Sequence, residues 1–65
     1  MYVYVYTEFS DTQAVAHFST RDYMPLKGDE INLPNGDTVV VEKREYRITT
    51  DNLYLHCKTI KYAKT

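Results

Sequence analysis

Cysteine is nearly absent from this 65-residue chain: Cys57 stands alone, so no internal disulfide can staple the fold. A lone thiol suits a reducing cytoplasm better than a secreted disulfide scaffold. Tryptophan is missing, and glycine is limited to Gly28 and Gly36, which excludes a glycine-rich phosphate loop. No apolar run approaches the roughly 20 residues that a membrane-spanning helix needs. The segment from Met1 to Glu8 has no basic start, long apolar stretch or small-residue cleavage site, so a signal peptide is not expected. Net charge is also scarce, at −1, which gives no general reason to expect nucleic acid as a partner.

Tyrosine is what the chain has instead: seven, beside two phenylalanines. The length suits one small β domain, residues 1–65, with a core too small for much reserve of stability, so self-association is an open route to more burial. Charge is unevenly spread. Residues 1–37 carry six acids against two bases, and residues 38–65 carry six bases against three acids. Such a chain either intermixes its charges on folding or presents an acidic and a basic patch.

Strand signals recur along the whole chain. Tyr2 to Phe9 alternates with a period of two, placing Val3, Val5, Thr7 and Phe9 on one side and Tyr2, Tyr4, Tyr6 and Glu8 on the other. Ser10 to Thr12 reads as a turn, and Gln13 to Thr20 as a second strand with Ala14, Ala16 and Phe18 inward, a short helix being the alternative there. Pro25 and Gly28 make Asp22 to Gly28 an extended connection. Asp29 to Leu33 and Thr38 to Ile48 form a hairpin about the turn Pro34-Asn35-Gly36-Asp37. Val39 and Val41 sit on one phase of the long arm, Tyr46 and Ile48 on the other, which calls for a bulge near Glu42 to Glu45. After a turn at Thr49 to Asn52, Leu53, Leu55 and Cys57 point inward and Tyr54, His56 and Lys58 outward, and Ile60 and Tyr62 either extend this strand or fray. The fold expected is all-β, a small antiparallel barrel or curled sheet of five or six strands.

The run Tyr23-Met24-Pro25-Leu26-Lys27-Gly28-Asp29-Glu30-Ile31, then Leu33, Val39, Val41, Arg44, Tyr46, Leu53 and Leu55, resembles small proteins encoded by bacteriophages and other mobile elements. The resemblance covers about the last two thirds of the chain. It implies a barrel of Src homology 3 type and a phage source, and carries over no functional residue.

No arrangement of residues points to catalysis or a cofactor. His56 and Cys57 are neighbours on a strand and so face opposite ways, which prevents a dyad. His17 reaches Cys57 only by long-range folding, and the bland reading is a buried thiol and a surface imidazole. Two histidines and one cysteine without short spacing do not make a zinc site. Asp29 and Glu30 alternate onto opposite faces and do not converge as an acid and base. The expectation is therefore a non-enzymatic interaction protein without metal or cofactor.

Its candidate protein-binding surface is the outward tyrosine set Tyr2, Tyr4 and Tyr6, joined by Tyr54 and His56 if the first and last strands share a sheet face. Tyrosine combines large contact area, few rotatable bonds and a polar tip, which suits recognition of a host factor or a second copy. The bland alternative is that tyrosines favour strands and pair across them. A different partner, single-stranded nucleic acid, would stack on the rings while Lys58, Lys61 and Lys64 meet its phosphates.

Overall fold

A strand with valines on one side and tyrosines on the other can bury only its valine side, so it needs a sheet around it and a core beneath. The computed structural model describes residues 1–63 and supplies both. Its five strands are β1 (Tyr2–Tyr6), β2 (Ala16–Ser19), β3 (Glu30–Asn32), β4 (Thr38–Arg47) and β5 (Asn52–Lys61). They form one sheet in the order β2-β1-β5-β4-β3, strongly curled into half a barrel, with no helix among the described residues and thus none long and apolar enough to cross a membrane. Three of the ladders are antiparallel. The β1–β5 ladder is parallel, pairing Val3 with Leu53 and Val5 with Leu55, so the sheet is mixed where antiparallel pairing throughout was expected.

The inner face gathers Val3, Val5, Leu33, Val39, Val41, Leu53, Leu55 and Cys57, none more than 7% exposed. Ala16, Phe18 and Ile31 pack against this cluster at its margins. The connection from β2 to β3 is pinned to the sheet: Asp29 Oδ2 accepts from Tyr23 Oη (2.6 Å) and the Leu26 amide (2.8 Å). The Gly28 amide donates to Val41 O (2.8 Å), and the Val41 amide donates to Asp29 O (2.9 Å). Pro25, near the middle of this connection, is fully buried.

The bulge in the long arm falls at Glu42: Val41 pairs with Cys57, and the next pair is Lys43 with His56. One extra residue reverses the phase, so Arg44 and Tyr46 pair with Leu55 and Leu53 while Glu45 and Arg47 lie beside Tyr54 and Asn52. The final strand does extend past Cys57, through Ile60 to Lys61, leaving Tyr62 beyond it.

Phe9 corrects the expected alternation. It is 70% exposed because β1 ends at Tyr6, and a bridge between Thr7 and Ser10 turns the chain before the ninth residue can enter the core. The second strand is likewise shorter than expected, since the Ser10 hydroxyl accepts the Thr12 and Gln13 amides and holds that stretch as a turn.

Glu8, freed by the same turn, reaches β5 where β1 no longer runs beside it. Its carboxylate takes the Thr59 amide (3.0 Å to each oxygen) and the Thr59 hydroxyl (2.7 Å). These bonds, led by the hydroxyl, lower the Glu8 pKa from its ordinary value.

Two measurements test this core and its clamp. Leu55→Ala should destabilise the protein by about 2–5 kcal/mol in urea unfolding, whereas Phe9→Ser should stay within about 0.5 kcal/mol. Because the folded Glu8 pKa is depressed, its stabilisation is present above the unfolded value of about 4.3 and is lost as pH falls through the folded value. Wild type should therefore melt above Glu8→Gln at pH 7, and the two melting temperatures should converge as the solution is acidified from about pH 4.3 downward.

Candidate functional site

The outward face is organised by register. His17 of β2 pairs with Tyr4 of β1, Tyr4 with Tyr54 of β5, and Tyr6 with His56, so five aromatic rings meet on three adjacent strands. Tyr4 stacks on His17 (5.9 Å between ring centres, 26° between planes) and on Tyr54 (5.4 Å, 17°). Tyr6 stacks on Tyr54 (6.1 Å, 22°) and on His56 (6.0 Å, 22°). The result is a ladder running His17, Tyr4, Tyr54, Tyr6, His56. Such offset stacking contributes roughly 0.5–1.5 kcal/mol per pair beyond the area it buries.

The ladder is fastened to β4 by charge. The Arg47 guanidinium lies 4.0 Å from the centre of the Tyr54 ring, a cation–π contact. Arg47 Nε donates to Glu45 Oε2 (2.7 Å), and His56 Nε2 lies 3.4 Å from Glu45 Oε1. Arg47 first, then His56, draws the Glu45 carboxyl below its ordinary pKa. Tyr54 Oη is 3.4 Å from the Thr50 hydroxyl.

All five outward residues named from the sequence lie on this face, but not equally. Tyr4, Tyr6, Tyr54 and His56 belong to the ladder. Tyr2 shares their phase and is 53% exposed, yet stacks on none of them, and its amide donates to Asn52 Oδ1 (3.1 Å). His17, Glu45 and Arg47 were missed. His17 had a usable signal, since inward Ala16 and Phe18 force it outward. Glu45 and Arg47 owe their position to the phase reversal at Glu42.

Of the basic set, Lys58 pairs with Val40 and Lys61 with Thr38, on the same side of the sheet as the ladder. Lys64 lies outside the described residues. The inner face separates the remaining chemistry: Cys57 is buried, whereas His56 and His17 stand outside. Among the described residues no group of three or more His, Cys, Asp or Glu side chains is placed to hold a metal ion.

Two clefts flank the turn that ends β1. One, of about 440 Å³, opens between Phe9, Val15, Leu33 and Pro34, with Asp37 as its single charged residue. The other, of about 460 Å³, is bordered by Glu8, Asp11 and Glu42, with His56 and the buried Cys57 also in its lining. In comparisons with known proteins, the chain matches no family model, no curated protein and no solved structure.

Burial pushes the Cys57 thiol up to about 11, so at neutral pH it stays protonated and unreactive. Alkylation by iodoacetamide at pH 8 should be at least tenfold slower for the folded protein than for free cysteine, and should recover in 6 M guanidinium, as followed by mass spectrometry.

Proposed function

We propose that this chain is a small non-enzymatic interaction protein, Src homology 3-like in its curled sheet and phage-type in origin, acting in the host cytoplasm. Its partner is a protein, a host factor or a second copy. That partner docks on the outward face made by Tyr4, Tyr6, Tyr54 and His56, with Tyr2 at the margin.

Ring packing carries this reading. Tyr4 stands between His17 and Tyr54, and Tyr54 has Tyr4, Tyr6 and Arg47 around it. Ring faces used against one another are not free for a base to stack on, so a nucleic acid would have to pry the ladder apart. What the face offers outward is ring edges and polar tips, the groups with which tyrosine serves protein interfaces. The second reading, single-stranded nucleic acid, rests on Lys58 and Lys61 sharing the ladder's side of the sheet.

Two measurements separate them. The triple variant Tyr4→Phe/Tyr6→Phe/Tyr54→Phe keeps the stack and removes only the hydroxyls, so it should fold like wild type by circular dichroism. Affinity capture from host lysate should recover a protein with wild type and lose most of it with the variant. An unchanged set of captured proteins would remove the face from consideration. Fluorescence anisotropy with labelled oligonucleotides should show no binding at low salt; a steep salt-dependent affinity lost in Lys58→Ala/Lys61→Ala would favour the second reading instead.

A further inference from the structure

The two free edges of the half barrel differ. β2 and β3 end the sheet on opposite sides and do not touch, so each has one row of backbone groups without a neighbouring strand. β3 is guarded in the usual ways: it is three residues long, carries Glu30 and is followed after Leu33 by Pro34. β2, Ala16-His17-Phe18-Ser19, has no acidic or basic residue other than His17, no proline and, among the described residues, no covering strand.

Its open groups can be assigned. The Thr20 amide donates to Met1 O (3.1 Å), so Met1 and Thr20 form a hydrogen-bonded pair, and alternation makes Val3 with Phe18 and Val5 with Ala16 the next such pairs. Ala16 and Phe18 therefore turn their backbone groups toward β1. His17 and Ser19 turn theirs away, and of these the Ser19 carbonyl already accepts the Asp22 amide (3.1 Å). The His17 amide and carbonyl and the Ser19 amide remain for a partner.

We propose that the β2 edge pairs with the β2 edge of a second copy, antiparallel about a two-fold axis at His17, joining two half barrels into one ten-stranded sheet. Three features favour a copy over an unrelated strand. A neutral edge meets its own image without like-charge repulsion. With His17 opposite the partner's His17, Ala16 faces the partner's Phe18 and Phe18 the partner's Ala16, small against large on the core side. On the outward side, His17 ends the ladder with Tyr4 on one side only, and the two-fold places a second imidazole where the stack stops. This interface uses edge backbone rather than tyrosine hydroxyls, so it stands whether or not the outward face has a partner.

Sedimentation equilibrium from about 10 µM to about 1 mM should show a concentration-dependent dimer for wild type. His17→Lys, which sets two ammonium groups at the axis, and His17→Pro, which removes the outward amide without touching the β1 ladder, should each shift the dissociation constant upward at least tenfold. His17 is exposed, so the lysine variant should retain its circular dichroism spectrum even if the proline variant does not. Amide exchange at His17 and Ser19 should slow as wild-type concentration rises. A wild-type monomer at every concentration overturns the proposal. So does a dimer that survives His17→Lys, and one that is lost in Tyr6→Phe but kept in His17→Lys would lie on the tyrosine face instead.

Discussion

The parallel ladder between β1 and β5 is the contact on which the rest of the molecule depends. It joins segments fifty residues apart, Val3 to Leu53 and Val5 to Leu55, and all of β2, β3 and β4 must be accommodated between them. Closing so long a connection costs chain entropy before any contact rewards it, so the seam has to be dense on both sides of the sheet. Beneath it lie Val3, Val5, Leu53 and Leu55, almost wholly buried. Above it lie Tyr4, Tyr6, Tyr54 and His56, stacked on one another. Polar contacts mark where the seam starts and stops: Asn52 takes the Tyr2 amide at one end, and Glu8 takes the Thr59 amide and hydroxyl just beyond the other.

That arrangement gives the tyrosines a structural role, which the proposed recognition would share. In a chain of 65 residues the inner face alone is a small core, and the outer ladder adds a second packed layer over the strand pairing that closes the fold. Structural packing therefore does not compete with the proposed recognition as an explanation of the tyrosines. Rings held rigid by their neighbours lose little further freedom when a partner arrives, which is the condition under which a tyrosine surface binds at low entropic cost.

How much of this was legible follows from which contacts are local. Alternation within a strand is local, so the inward set Val3, Val5, Leu53, Leu55 and Cys57 and the outward set Tyr4, Tyr6, Tyr54 and His56 were readable, as was the bulge demanded by Val39 and Val41 against Tyr46. Phe9 was misplaced because a periodic pattern carries no mark of where pairing ends; the Thr7 to Ser10 bridge decided that. The direction of the β1–β5 pairing was not readable either, since it is set by the path of three intervening strands. The face of Glu45 was hidden because the bulge was bounded only to Glu42 to Glu45, and its place at Glu42 is set by pairing with β5, as are the contacts that Glu45 and Arg47 make there.

The ladder also has a direction that neither composition nor alternation contains. At the His56 end it is tied down: Glu45 bridges His56 and Arg47, and Arg47 lies on Tyr54, so ring, carboxylate and guanidinium brace one another. At the His17 end the last ring has Tyr4 behind it and the unguarded edge of β2 beside it. A sheet can be extended only where backbone groups are open, and an aromatic stack only where its last ring is not already braced. In this chain the two conditions coincide at His17, whereas the β3 edge, though its backbone groups are open, is guarded by Glu30 and Pro34 and carries no end of the stack.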